Sequence, residues 1–106
     1  MRRMATPITI HIPHRLGRAE AQRRIESGFA SLIRQLPGTG GACSEKWDGN
    51  RLSFRVGAMG QAVSGVVDVL DDVVAMEIEL PGVLGIMAAA LRGRLQKAGQ
   101  LLLTRK

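Results

Sequence analysis

Residues 44–80, SEKWDGNRLSFRVGAMGQAVSGVVDVLDDVVAMEIEL, predict a meander of antiparallel strands. Apolar and polar residues alternate in 51–56 and again in 76–80, which is the period of a strand with one buried face and one solvated face. Asp-Gly-Asn and Asp-Asp separate the runs, and these residues tolerate the backbone angles of tight turns. We therefore predict strands at 44–47, 51–56, 62–70 and 73–80.

The segments on either side of this meander predict elements that cover one face of the sheet. Residues 7–13, PITIHIP, predict a first strand, because isoleucines alternate with polar residues and prolines bracket the run. Residues 18–36 and 83–104 predict two helices, since their apolar residues recur every three or four positions. Within the first helix, Gly28 is expected to pack closely on a strand. Residues 37–43, PGTGGAC, predict a flexible glycine-rich loop.

The predicted fold is an α+β two-layer sandwich with the element order β-α-β-β-β-β-α. An antiparallel sheet of about five strands would carry two helices on one face. A chain of 106 residues predicts a single domain over residues 1–106, with 1–6 as a loose N-terminal tail. The other sheet face would stay solvated or bind a partner, and homodimerisation through that face or through an edge is left open. The residues predicted on this other sheet face include Arg51, Ser53, Arg55, Glu77 and Glu79.

Composition sets limits on partners and location. Fifteen Lys and Arg against nine Asp and Glu give a net charge of +6, which suits either an anionic partner or simple solubility. Cys43 is alone, so an intrachain disulfide is excluded and a reducing compartment is indicated. No apolar run follows the N-terminal arginine pair, and the uncharged run 80–91 is too short to span a bilayer. We expect a cytoplasmic protein without a transmembrane segment.

Residues that could carry chemistry do not form a recognisable constellation. His11 and His14 lack further metal ligands nearby in the sequence, and His14 is expected to be a structural turn residue. Nothing in the sequence around Cys43 would activate it as a nucleophile. Asp71 and Asp72 are explained by a turn. We therefore predict no catalytic residues, no cofactor site and no metal site, and expect that the protein is not an enzyme.

Two regions are candidates for contact with a partner. Trp47 precedes the Asp48–Gly49 turn, and its ring would either pack over the end of the sheet or anchor a partner. The last helix carries Arg92, Arg94 and Lys97 beside its apolar stripe. Such a helix either packs on the sheet as an ordinary amphipathic helix or lies on a lipid or polymer surface.

Five segments, in this order, resemble one family of small bacterial proteins. They are ITIHIPHRLG, AEAQRRIE, WDGNRLSF, SGVVDVLDDVVAMEIELPGVLG and the closing basic helix, and together they span residues 8–103. The family is that of the polyhydroxyalkanoic acid system proteins, named for their association with genes for storage-polyester synthesis. The loop GAMGQAVSG is longer than in the family pattern, and PGTGGAC replaces a more polar link.

The resemblance implies a non-enzymatic accessory protein of polyhydroxyalkanoate metabolism, with no catalytic residues to carry over. Its expected partner is the granule surface or another granule protein, contacted through Trp47, Arg92, Arg94 and Lys97. Two alternatives are a small basic nucleic-acid-binding module and a protein that binds a small hydroxyacyl ligand. Nucleic acid is not the expected partner, because the chain has only three aromatic residues and no known recognition motif.

Overall fold

A computed structural model describes residues 6–34, 36, 38–58 and 60–104 of the chain. These residues form five strands and three helices in the order β-α-β-β-β-β-α-α. The strands are β1 (Thr6–Pro13), β2 (Thr39–Asp48), β3 (Arg51–Ala58), β4 (Gln61–Val69) and β5 (Val73–Leu80). The helices are α1 (Arg18–Ile33), α2 (Gly82–Ile86) and α3 (Ala88–Thr104).

The five strands form one open sheet in the order β1-β5-β4-β3-β2, with every pair antiparallel. The meander predicted from residues 44–80 is therefore confirmed as β2 to β5. β1 joins it beside β5, so β1 and β2 are the two edge strands. The α+β class and the antiparallel sheet are as predicted.

The core lies between the helices and one face of this sheet. The recurring apolar residues of the predicted first helix are all buried and face alternate residues of the strands; they are Ala21, Ile25, Phe29, Leu32, Ile33 and Leu36. Phe29 of α1 packs edge-on against Phe54 of β3, with ring centroids 5.0 Å apart. The core is otherwise almost wholly aliphatic, as expected from the few aromatic residues.

Two glycines let α3 approach its neighbours closely. A side chain at Gly99 would collide with the tip of Ile12 on β1, and one at Gly28 would collide with Leu102 of α3. Gly28 thus permits close packing of two helices, and the prediction that it packs on a strand was wrong. The missing Cβ atoms allow α3 to lie close to both α1 and β1.

Three predicted boundaries differ substantially from the structure; in addition, Thr6 of the predicted tail 1–6 is the first residue of β1, while residues 1–5 lie outside the described residues. β2 begins at Thr39, so most of the predicted loop 37–43 is strand; its pairing shifts register between Thr39 and Cys43, an irregularity that accommodates the glycines. The predicted last helix is two helices, because the backbone at Met87 departs from helical geometry (φ −93°, ψ 12°). The first helix ends at Ile33, not at Leu36. No helix among the described residues has the length and apolar character needed to cross a membrane.

Candidate functional site

The four residues predicted to contact a partner lie at opposite edges of the sheet. Trp47 is on edge strand β2. Arg92, Arg94 and Lys97 are on α3, which packs mainly against β1, the other edge strand, and against α1. The structure does not bring Trp47 together with the three cations, and whether any of them contacts a partner stays a prediction.

The polar side chains of α3 close the free edge of β1. Arg92 Nε donates to the carbonyl of Thr9 at 3.0 Å, and Gln100 Nε2 donates to that of Pro13 at 3.2 Å. Between them, Gln96 makes a longer bond of 3.5 Å to His11. Four residues of a helix advance about 6.0 Å along its axis, and two residues of a strand advance about 6.8 Å. Donors spaced four residues apart on α3 can therefore reach every second carbonyl of β1 when the helix runs parallel to the strand.

This closure was not visible in the sequence. Arg92 stood out there only as a cation beside an apolar stripe, and Gln96 and Gln100 were not singled out at all. The spacing of 92, 96 and 100 could have indicated one polar helical row. It could not indicate that the row faces a strand edge, because that depends on which strand lies at the edge.

A second row on α3 points away from the rest of the protein. Ala90, Arg94, Lys97 and Leu101 follow one another at intervals of four, three and four residues, and all four are exposed. Ile86, at the end of α2, precedes this row in the chain and is 85% exposed; Leu101 is 62% exposed. We call these five residues the outer helical face. It places two cations between two large apolar side chains.

Trp47 is half-buried and packs against the core, directly opposite Leu52 on β3. Packing over the sheet is one of the two alternatives that the sequence indicated for this ring. Nearby on the same strand, Cys43 is exposed, and partial desolvation of its thiol together with the charge of Glu45 raises its pKa. A thiol with a raised pKa is a poor nucleophile at neutral pH.

His14 is a structural residue, as predicted. Its side chain is buried (7% exposed), and its Nδ1 accepts a hydrogen bond from the Leu16 amide at 3.1 Å. Nε2 lies 3.0 Å from the carbonyl of Leu70 and is therefore the protonated nitrogen that donates to it. Nδ1 therefore fixes the β1–α1 turn, and Nε2 joins this turn to the β4–β5 turn.

A cavity of about 580 Å³ lies next to His14, between this turn and the C-terminal half of α3. Its wall combines apolar side chains with two arginines. Arg24, on the α1 side, is held by Glu20 Oε2 at 3.0 Å and by the carbonyl of Leu102 at 3.3 Å. The lining residues are Pro13, His14, Arg15, Leu16, Arg24, Gln100, Leu103 and Thr104.

The sheet face opposite the helices, which we call the open face, is nearly neutral. It bears three cations and four carboxylates: Lys46, Arg51 and Arg55, and Asp48, Asp68, Glu77 and Glu79. Arg51 forms a bidentate ion pair with Asp68: Nε donates to Oδ1 at 2.7 Å and Nη2 donates to Oδ2 at 3.1 Å. These hydrogen bonds raise the pKa of the arginine. This balance does not suit a polyanion, whose binding needs an excess of cations. The described part of the chain holds no group of three or more His, Cys, Asp or Glu able to bind a metal ion.

Comparison with known proteins gives one family. A family model described as "Putative polyhydroxyalkanoic acid system protein" matches residues 8–102, which is nearly the whole chain. No curated protein matches the chain. The matched range includes the whole of β2 to β5 and most of β1 and α3.

Proposed function

The chain belongs to the polyhydroxyalkanoic acid system protein family, and from that premise we propose that it is a non-enzymatic accessory protein of storage-polyester metabolism. It acts in the cytoplasm by adsorbing to the surface of polyhydroxyalkanoate granules. The family name points to the system, and the outer helical face points to the mode of attachment.

The observation that carries the proposal is the exposure of Ile86. Ile86 has a large aliphatic side chain that is 85% exposed, so its apolar surface is removed from water only when another surface covers it. Single exposed apolar residues are ordinary. Here, however, Leu101 shares an exposed row of α3 with Arg94 and Lys97, and Ile86 is exposed at the end of the preceding helix; a mixed cationic and apolar exposed face is typical of helices that lie flat on an apolar surface bearing anionic groups.

Adsorption would combine two weak contributions. Ile86 and Leu101 enter the apolar layer, while Arg94 and Lys97 remain at its boundary near anionic groups. Arg92 lies beside this face but its Nε is bonded to Thr9, so its main contribution is to hold α3 in place. Trp47, at the far edge of the sheet, would touch a second part of the surface or a granule protein.

Co-sedimentation with native polyhydroxyalkanoate granules across a salt series tests the proposal. Anionic lipid vesicles and duplex DNA serve as reference surfaces. Granule binding that persists at high salt, with DNA binding lost, is the expected result, because the apolar contact is not screened. Binding that falls equally on all three surfaces as salt rises would overturn it and favour non-specific attraction.

Matched substitutions locate the contact. Ile86→Ser should reduce granule binding several-fold, and Leu101→Ser should act similarly. Leu70→Ser makes the same chemical change at the β4–β5 turn, where the side chain is 40% exposed, and should leave binding unchanged. Equal binding by all four proteins would exclude the outer helical face. If Trp47→Phe weakened binding instead, the contact would lie at the β2 edge.

The cavity beside His14 favours a second candidate, binding of a small hydroxyacyl ligand. Its volume lies within the usual range of ligand sites, and its wall is mixed apolar and cationic. Titration with a 3-hydroxy acid, followed by NMR, tests this. Shifts confined to residues around the cavity, and abolished when Thr104→Trp fills it, are the expected result. Shifts that survive Thr104→Trp would exclude the cavity.

A further inference from the structure

The charges of the open face are distributed unevenly about its central strand. β4 is the middle strand, with β5 on one side and β3 on the other. The charged side chains that β5 presents on this face are acidic, Glu77 and Glu79, whereas those of β3 are basic, Arg51 and Arg55. The face therefore has an acidic side and a basic side at equal distances from β4.

The strand registers place these charges in rows across the sheet. Ser64 of β4 pairs with Glu79 on one side and with Arg55 on the other. Two residues further along, Val66 pairs with Glu77 and with Ser53. An acidic residue and a basic residue thus lie in one row, one strand to each side of Ser64.

We propose that a second copy of this chain stacks on the open face, with the twofold axis parallel to β4. That rotation exchanges the two sides, so β5 of each copy lies over β3 of the other. Glu79 of one copy then faces Arg55 of the second copy, twice by symmetry. Stacked sheets lie about 10 Å apart, a gap that a Glu and an Arg side chain bridge together.

The charges select this axis over the alternative. A twofold axis perpendicular to β4 would place β5 over β5 and β3 over β3, so that carboxylates meet carboxylates and arginines meet arginines. In the proposed arrangement Val66, which is half-buried, meets its own copy at the centre. Asp68 also meets its copy, but each carboxylate is already neutralised by Arg51.

The area and net charge of the face fit a weak dimer. Strands of eight residues in a five-strand sheet cover roughly 27 by 20 Å. Two such faces bury about 1,000 Å² in total, near the lower limit of specific interfaces. Because the open face is nearly neutral, two copies can meet there without the repulsion expected from their +6 net charge. The inference is independent of the proposed granule binding.

Analytical ultracentrifugation of the full chain, from about 1 µM to about 1 mM, tests the proposal over the range of weak interfaces. The wild type should dimerise with increasing concentration. Arg55→Glu and Glu79→Arg should each raise the dissociation constant tenfold or more, since each places like charges opposite each other. The double variant, Arg55→Glu combined with Glu79→Arg, again places opposite charges at the two facing positions, with their signs exchanged. It should dimerise again.

Arg94→Glu is the matched control, because it reverses one charge on the outer helical face and not on the open face. It should dimerise like the wild type, and circular dichroism should show all variants folded. A monomeric wild type at the highest concentration would overturn the proposal. So would dimers that persist in Arg55→Glu, which would instead indicate pairing through the β2 edge. Failure of the double variant to regain the dimer would also exclude the Glu79–Arg55 contact.

Discussion

The two edge strands of this sheet differ in how their free edges are covered. β1 is covered by α3, whose Arg92, Gln96 and Gln100 donate hydrogen bonds to its outward carbonyls. None of the helices that the structure describes lies along the free edge of β2, and the side chains described from Cys43 to Asp48 are exposed except for half-buried Trp47. An uncovered strand edge is a template for unwanted pairing.

The comparison teaches that an edge can be protected by a neighbour or by its own irregularity. β2 is protected by the register shift between Thr39 and Cys43 and by the charges of Glu45 and Lys46, which hinder pairing with another strand. β1 is nearly regular and depends on α3. Stability should therefore respond more to changes under α3 than to changes along β2.

The largest effect is expected from Leu95→Ala. Leu95 is 1% exposed in the core beneath α3, and truncating a buried leucine costs about 2–5 kcal/mol of unfolding free energy. Urea unfolding followed by circular dichroism measures it. Lys97→Ala, two residues along the same helix but exposed, should change stability by less than about 0.5 kcal/mol. Equal losses in both variants would mean that α3 is not packed as described.

Trp47→Ala should have a smaller effect at the open edge. Truncation of a fully buried aromatic side chain costs about 3–5 kcal/mol, and the ring of Trp47 is only half-buried, so we expect about 2 kcal/mol. Trp47→Phe should recover most of the loss. The same urea titration compares both variants with Leu95→Ala. A larger loss for Trp47→Ala than for Leu95→Ala would reverse the proposed ranking of the two edges.

Removing the donors that close the β1 edge should have a modest effect on stability and a larger one on association. Arg92→Met combined with Gln96→Met should lower the unfolding free energy by about 1 kcal/mol, because both hydrogen bonds are solvent-exposed. Light scattering on prolonged incubation should then rise, since β1 becomes an uncovered edge. Arg94→Met combined with Lys97→Met is the control. It should aggregate less than the variant that combines Arg92→Met with Gln96→Met.

The sequence predicted the strands better than it predicted how they are arranged. Period-two alternation identified β3 and β5 because each has one buried face and one solvated face. The start of β2 was missed because Gly40 and Gly41 resemble a loop. The break at Met87 was missed because the apolar repeat continues from α2 into α3.

The sequence indicated only some features of the residues predicted to contact a partner, for a related reason. Arg94 and Lys97 are exposed, as partner contacts must be, but Arg92 is also a donor to β1. Local patterns do not show which strands form the edges, so they could not show that one row of α3 faces β1. The exposure of Ile86 likewise depends on the end of α2, which the sequence did not indicate.

The smallest effect is expected from the ion pairs of α1, which lie away from both sheet edges. Hydrogen bonds from Arg23 and then Arg24 lower the pKa of Glu20 from its usual 4.5 to about 2. Because the folded-state pKa is depressed, the contribution of Glu20 to stability is complete above pH 4.5 and is lost as pH falls towards 2. An NMR titration of the Glu20 carboxyl carbon should show a midpoint near 2, and high salt should raise it because the group is at the surface. Glu20→Gln should remove this part of the pH dependence while leaving the difference between Leu95→Ala and Trp47→Ala unchanged. A midpoint near 4.5 would mean that the two arginines do not hold the carboxylate in solution.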